Sequence, residues 1–314
     1  MEYRKLGRSG LRVSVIGLGA NTFGRVADEK QTAAIIGAAL DAGINFIDTA
    51  DIYNAGVSEE YIGKALRGQR ERALIATKVG MSTGPGPNEN GSSRKRVIAG
   101  AHASLRRLQT DYLDLYQIHR FDPDTPLDET LGALDDLVRA GDVRYIGCSN
   151  FGAWRLTQAL WTSDRRGWAS FVSAQPEYNL LARDIERDLI PACSEFGVGI
   201  IPYSPLASGV LTGKYQPDQP IPANTRGSDY AGFERRLQHG TLATAQRLAG
   251  WAQTRGHTAS ELALAWLAAQ PTVATIIAGA RTPEQVTANV AASEWTLSAD
   301  DLADIEHLLA PPSA

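Results

Sequence analysis

Asp48, Tyr53, Lys78 and His119 are four side chains whose types complement one another chemically. A tyrosine titrates near pH 10, which makes it a poor proton donor at neutral pH when it stands alone. A lysine ammonium beside it favours the phenolate and makes the phenol more acidic. An aspartate paired with that lysine holds it in place and keeps it charged. A histidine next to them can hydrogen-bond a carbonyl oxygen and orient it. Together the four can polarise a C=O group and deliver a proton as hydride reaches the carbon. Singly, each also fits a structural role: His119 as a packing residue, Lys78 as an ordinary salt-bridge partner. The argument therefore turns on whether the fold brings them together.

The elements that must position them alternate regularly. Runs rich in β-branched and apolar residues read as strands: VSVIGLG ending at Gly19, then 44–50, 73–80, 112–119, 143–150, 171–178, 197–205 and 273–280. Helical patterns lie between them: 29–42, 58–67, one beginning after SSRKR and ending near Leu108, LDETLGALDDLVRAG, about 153–162, 184–196, about 241–255 and 258–269. A helix from Pro283 and an extra one from Ser298 close the chain. Eight strands alternating with helices imply a parallel sheet covered by helices, and eight units favour closure into a (β/α)8 TIM barrel. The stretch carrying Tyr3, Leu6, Gly7, Gly10 and Val13 reads as an N-terminal β-hairpin suited to plugging the barrel bottom. With no linker or low-complexity segment in view, residues 1–314 are expected to form a single domain.

In such a barrel the active site sits at the C-terminal strand ends. The second strand ends in Asp48, with Tyr53 just beyond it; the third ends in Lys78 and the fourth in His119. The fifth ends in Ser149 and Asn150, and the sixth carries Gln175 and Glu177. Tyr203 and Ser204 belong to the seventh, Gly279 and Arg281 to the eighth. Polar groups closing apolar strands are costly to bury alone, so they should converge on one another or on a ligand. The longest irregular stretches, Met81–Ser93 and Tyr215–Gly240, also follow strand ends and should shape the pocket.

Composition narrows the classes. Hydrophobic residues make up 43% and the net charge is −4, from 31 basic and 35 acidic residues with no basic stripe, which argues against a nucleic-acid partner. No apolar run is long enough for a bilayer, and MEYRKLGRSG lacks a signal peptide's apolar stretch, so a cytoplasmic protein without a membrane partner is expected. Nothing in the pattern specifies an oligomeric state. Two cysteines, Cys148 and Cys193, are too few for a disulfide framework. His102, His119, His239, His257 and His307 show no metal-ligand spacing, so no metal is expected. Trp154, Trp161 and Trp168, around the helix after the fifth strand, read as packing residues.

The segment GINFIDTADIYNAGVSEEYIGKAL resembles the most diagnostic stretch of the aldo-keto reductase superfamily. ALIATKVG is similar to that family's lysine strand and YLDLYQIHRFDP to its histidine strand. VRYIGCSNF, SAQPEYNLL, PYSPLASGVLTGKY and IAGARTPEQVTANVAA are similar to its later blocks, in order, so that the resemblance covers about residues 1–310. It implies reduction of aldehyde or ketone carbonyls, with Tyr53 as general acid, Lys78 and Asp48 tuning it, and His119 orienting the substrate. It also implies a bound NADP(H). Ser149, Asn150 and Gln175 would hold the nicotinamide carboxamide, with Asp48, Gly19 and Thr22 nearby, and Tyr203 would stack on the ring. Ser204, Pro205, Leu206, Ser208 and Gly209 would wrap the pyrophosphate, and Lys214 would be a further cofactor contact. Gly279, Arg281, Gln285 and Asn289 would surround the adenosine end. A guanidinium at Arg281 can pair with a 2′-phosphate, which favours NADPH over NADH. The chain departs from many relatives at Ala278, where they carry proline.

Three other readings fit less of the sequence. GLGANTFG places Gly17 and Gly19 after a strand, as in a Rossmann fingerprint, but Thr22 stands at the third glycine position. Asp48 also follows Gly19 too distantly. A glycosidase using Asp48 and Glu177 leaves Tyr53, Lys78 and the Ser149–Asn150 pair unexplained. Potassium-channel β subunits share the fold and the four residues, so a cofactor-bound sensing module with slow turnover is the alternative function.

Overall fold

A hairpin opens the chain, with β1 (Tyr3–Lys5) antiparallel to β2 (Arg12–Ser14). Eight parallel strands follow: β3 (Ile16–Gly19), β4 (Phe46–Asp48), β5 (Leu74–Val79), β6 (Leu113–Ile118), β7 (Val143–Ser149), β8 (Phe171–Gln175), β9 (Gly199–Ile200) and β10 (Ile276–Gly279). Their neighbour order runs from β10 through β3 and on in sequence to β9. The ring closes where Ala274 N donates to Ile200 O at 2.9 Å and Ile277 N to Pro202 O at 3.0 Å. This is a (β/α)8 barrel with an N-terminal hairpin. It is drawn from a computed structural model that describes residues 1–310 apart from 216–218, 223–224, 226, 228–232, 234–236 and 238–239. His239 and much of the Tyr215–Gly240 loop lie outside the described residues.

The helices are α1 (Glu29–Asp41), α2 (Val57–Ala65), α3 (Arg94–Leu108), α4 (Leu127–Ala140), α5 (Ala153–Arg166), α6 (Leu189–Phe196), α7 (Thr241–Gln253), α8 (Ala259–Ala268), α9 (Pro283–Ala292) and the extra α10 (Ala299–Leu309). Local chemistry sets their starts. Asp28 caps α1 and Ser298 caps α10, each in a reciprocal capping box that satisfies otherwise orphaned N–H groups. The larger apolar cluster fills the space between strands and helices. A smaller one lies inside the barrel, where Leu6 and Val13 from the hairpin meet Phe46, Ala76, Leu115 and Ile201. The hairpin thus plugs the bottom and leaves the C-terminal mouth open.

Four boundaries differ from the sequence reading. The seventh strand is regular only at Gly199–Ile200. Pro202 and Pro205 have no N–H to give a ladder, although Ile201 N and Tyr203 N still bond to Ala174 O and Pro176 O. The helix expected over 184–196 splits into a 3-10 turn at Asp184–Glu186 and α6. A single helix would need an N–H from Pro191, whereas a first-turn proline is tolerated. Helix α3 starts at Arg94 behind the cap Ser93, so Arg94 to Arg96 belong to it. Helix α5 runs on to Arg166 and leaves Trp154 68% and Trp161 57% exposed, which corrects their reading as packing residues. They sit seven residues apart, away from the buried face of Leu156, Ala159 and Leu160, under Arg155 and Arg165. Trp168 does pack against the core.

Gly7 anchors the plug. Its φ of +56° is left-handed, and a Cβ there would stand 2.5 Å from Gly197 O and 2.6 Å from Val172 O. Gly10, in the same hairpin turn, has nothing within 4 Å of its Cβ position. Gly7→Ala is therefore expected to destabilise the fold by about 2 kcal/mol or more, from left-handed strain plus overpacking. Gly10→Ala should leave stability nearly unchanged. Urea denaturation of the two variants checks this, and equal midpoints would refute it.

Candidate active site

Strand geometry delivers the polar groups to the mouth. Asp48 ends β4 and Lys78 lies one residue before the end of β5, both with side chains inside the barrel. The Lys78 ammonium donates to Asp48 Oδ2 at 2.6 Å and to Thr49 O at 2.8 Å, and lies 3.5 Å from Tyr53 Oη. Gln175 Nε2, from β8 across the barrel, donates to Asp48 Oδ1 at 2.7 Å. Lys78 is 0% and Asp48 2% exposed. Burial alone would lower the lysine's pKa, but Asp48 and then Tyr53 more than offset it and hold it above its ordinary value. The ammonium therefore stays charged beside the phenol.

The loop that presents Tyr53 is strained and heavily anchored. Asn54, Ala55 and Gly56 follow Tyr53 with φ of 51°, 55° and 91°, three left-handed residues in succession. Left-handed geometry costs about 1–2 kcal/mol for a residue with a Cβ, so surrounding contacts must impose it. Asn54 Nδ2 donates to Phe23 O at 2.5 Å. Asp51 pairs with Arg96 of α3, both buried. Burial pushes the Asp51 carboxyl above its usual range, and the Arg96 guanidinium counters part of that. Glu59 of α2, fully buried, accepts from Thr77 Oγ1 at 2.5 Å and Arg107 Nε at 2.7 Å. Arg96 and Arg107, which share α3, carried no signal in the sequence that marked them as partners of buried carboxylates.

His119, just beyond β6, faces Tyr53 edge-on with ring centroids 6.0 Å apart. Its Nδ1 is buried without a hydrogen-bond partner among the described residues. Burial first, then the charges of Lys78 and Arg120, lower its pKa to about 3. The imidazole is therefore neutral near pH 7. It can orient a carbonyl oxygen through a hydrogen bond but is not a proton store.

These groups line one cavity of about 400 Å³. Gly19, Asp48, Ser149, Asn150 and Gln175 form one part of its wall; Tyr203, Ser204, Pro205, Ser208 and Gly279 form another. Asn150, at φ 58°, is tightly held: its amide donates to His119 O at 3.0 Å and accepts from Tyr203 Oη at 2.8 Å. Ser149 Oγ donates to Gln175 O at 2.9 Å. Ser204, Ala207, Ser208 and Gly209 all have positive φ, so the turn after β9 is a concave run of small residues.

The other sequence candidates lie off the cavity wall. Thr22 Oγ1 reaches Ala280 O at 3.4 Å and ties the first loop to the eighth. Gln285 accepts from Arg281 N at 2.8 Å, and Asn289 Nδ2 reaches Gly279 O at 3.5 Å. Arg281 stands immediately before the N-cap of α9, Thr282. Leu206 and Gly209 bond within their own turn, and Lys214 lies against Gly209 and the Tyr215 ring. Sequence reading missed Ala20, Asn21, Arg120 and Ile277 on the wall, while Met81 and Phe233 come from the two loops expected to shape the pocket. Only the placement of Arg120 right after a strand-end histidine hinted at it. Cys148 and Cys193 are both buried and free. Among the described residues no helix is long and apolar enough to cross a membrane, and no group of acidic, His and Cys side chains could hold a metal.

A barrel with this mouth defines a class of enzyme scaffold, and the comparisons narrow it. The aldo/keto reductase family model matches residues 15–310. A probable voltage-gated potassium channel subunit beta of Arabidopsis thaliana is 39% identical over 300 residues, 93% of this chain and 91% of that protein. The uncharacterized oxidoreductase YrpG of Bacillus subtilis is 39% identical over 325 residues, 99% of this chain and 97% of that protein. Versiconal hemiacetal acetate reductase of Aspergillus parasiticus is 34% identical over 337 residues, 99% of this chain and 98% of that protein. The chain belongs to the aldo/keto reductase family and is an oxidoreductase.

The depressed His119 pKa carries a stability signature. Its folded value lies below its ordinary 6.5, so the neutral ring contributes fully above pH 6.5, and the contribution is lost as pH falls toward about 3. His119→Asn should flatten the acid-side fall of unfolding free energy across that window. Urea titrations at stepped pH measure it, and parallel curves for both proteins would show that His119 is not the titrating group.

Proposed function

We propose that this protein reduces the carbonyl of small aldehydes or ketones to alcohols, with NADPH as reductant and Tyr53 as general acid. The observation that carries the proposal is a fully buried ammonium, Lys78, tied to Asp48 at 2.6 Å and 3.5 Å from Tyr53 Oη on the wall of the cavity. A phenol next to a fixed positive charge loses its proton more readily. In the reduction, Tyr53 Oη gives its proton to the carbonyl oxygen and Lys78 stabilises the phenolate left behind. Asp48 holds Lys78 charged, Gln175 holds Asp48, and neutral His119 orients the carbonyl oxygen.

The residues present suit a nicotinamide dinucleotide. The positive-φ turn Ser204–Gly209 is a cradle in which small residues let backbone N–H groups approach an anion. Tyr203 offers a flat face on the cavity wall, beside the amides of Asn150 and Gln175. Arg281 precedes a ten-residue helix whose N-terminus favours anions, which suits a 2′-phosphate. When bound, the cofactor supplies hydride to the carbonyl carbon; the protein's part is to hold the carbonyl, exclude water and manage the proton.

The relatives named as potassium-channel β subunits support a second reading, a cofactor-bound module with slow turnover. Turnover with a panel of aldehydes separates the two. Tyr53→Phe should keep cofactor affinity and lose at least about a hundredfold in kcat, the scale of general acid catalysis. Equal turnover in mutant and wild type would remove Tyr53 from the mechanism.

Cofactor choice gives a separate test. A hydrogen bond to a charged group is worth roughly 1.5–3 kcal/mol, or about one to two decades of affinity. Arg281→Ala should weaken NADPH binding by about that factor and leave NADH nearly unchanged, as read by fluorescence titration of both. Equal losses would mean that Arg281 supports the loop without reading the phosphate.

A further inference from the structure

Formal charge on the cavity wall is sparse. Asp48 and Arg120 are the charged residues among those lining it. Asp48 is neutralised by Lys78 directly behind it. His119 is neutral near pH 7, its pKa being held down to about 3. Among the described wall residues, Arg120 therefore leaves one uncompensated positive charge.

Among the described residues nothing absorbs that charge. Arg120 makes no hydrogen bond or ion pair among the described residues, and its side chain is exposed. Asp122, two residues on, spends its carboxylate elsewhere. It accepts from Ser92 N at 2.8 Å, Thr125 Oγ1 at 2.6 Å and Asp124 N at 3.0 Å. Glu129 and Asp136 of α4 are likewise engaged, with the backbone and the guanidinium of Arg94.

The charge also lies on the side of the mouth away from the proposed cofactor phosphates. Arg120 follows β6, and in the closed ring β6 stands four strands from β10 in either direction. Arg281 and the loop of Gly279 follow β10, and the Ser204–Gly209 cradle follows β9. Arg120 is instead next in the chain to His119, the group proposed to orient the carbonyl. A charge there faces the part of a substrate that projects from the reacting carbon.

From this we infer that Arg120 is a specificity-determining residue, and that the preferred substrates are small aldehydes or ketones carrying an anionic group, a carboxylate or a phosphate ester. The inference rests on the carbonyl-reduction reading. A guanidinium pairs with either anion through parallel N–H donors. Because Arg120 meets solvent, the effect is that of a screened pair and not of a buried one.

Matched substrates test it. 4-Carboxybenzaldehyde and 4-methylbenzaldehyde share size and substitution and differ in charge; glyceraldehyde 3-phosphate and glyceraldehyde form the phosphate pair. The ratio of kcat/KM for the charged over the neutral member is measured for wild type, Arg120→Gln and Arg120→Lys. Arg120→Gln should lower that ratio about twofold to fivefold, mainly through KM, for at least one pair, and Arg120→Lys should restore most of it. Added salt should erode the wild-type ratio and not that of Arg120→Gln. The pair that responds identifies carboxylate or phosphate as the group read. Unchanged ratios in both pairs would overturn the inference while leaving carbonyl reduction intact. If wild type turns over none of the four, the carbonyl reading itself fails. Ligand-observed NMR then decides on Arg120 by comparing 4-carboxybenzyl with 4-methylbenzyl alcohol. Binding of the acid that weakens in Arg120→Gln keeps the anion site, and binding indifferent to the substitution removes it.

Discussion

The Lys78 ammonium is the charge around which the mouth of the barrel is built. Moving such a group out of water costs several kcal/mol even after relaxation, and only close, complete pairing recovers it. Here the partners come from separate parts of the fold. Asp48 is supplied by β4 and the Thr49 carbonyl by the turn after it. Asp48's second oxygen is satisfied by Gln175 from β8, on the other side of the ring. An open sheet would leave Asp48 half-solvated and Lys78 less tightly fixed. The hydrophobic plug of Leu6 and Val13 closes the floor, so the polar cluster meets solvent only through the mouth.

That central pair sets demands on the next layer. Tyr53 reaches Lys78 only because the chain after β4 turns through three left-handed residues. The energy stored there is offset by anchors outside the cluster: Asp51 with Arg96, Glu59 with Arg107 and Thr77, and Asn54 with Phe23 O. Together they link the Tyr53 loop and α2 to α3, to β5 and to the loop after β3. A loop tied in so many directions behaves as part of the scaffold, which is what holding the Tyr53 hydroxyl within a fraction of an ångström requires.

Sequence pattern alone located the eight strands and the residues at their ends, because a parallel barrel strand is a short apolar run bounded by turn residues and its polar terminus stands out. It was less informative wherever a neighbour decides the outcome. β9 shortens because Pro202 and Pro205 withhold N–H groups from the ladder. The helix expected over 184–196 breaks at the approach to Pro191. Trp154 and Trp161 face outward because small and aliphatic residues of α5 take the buried side. The sequence reading singled out neither Arg96, which it placed before the helix, nor Arg107 within it, yet one is buried and the other pairs with a buried glutamate. Their partners stand 45 and 48 positions earlier in the chain, a separation that no local pattern encodes.

The mouth also separates two kinds of constraint. The Lys78–Asp48 cluster is fixed by strand register, since Asp48 pairs with Ala76 and Lys78 with Gln117 in the ladder. Much of the rest of the wall comes from loops: Asn21, Met81 and Arg120 after β3, β5 and β6, and Ser204, Pro205 and Ser208 after β9. Loops of a barrel can change without disturbing register, so the lining of the mouth can drift while the Lys78–Asp48 cluster stays intact. The relatives illustrate the consequence. A protein named as a channel subunit and one named as an oxidoreductase are each 39% identical to this chain over nearly its whole length. Total likeness therefore does not separate those roles. The physical distinction has to reside in what the loops present, and here the side next to His119 presents a guanidinium with no partner among the described residues.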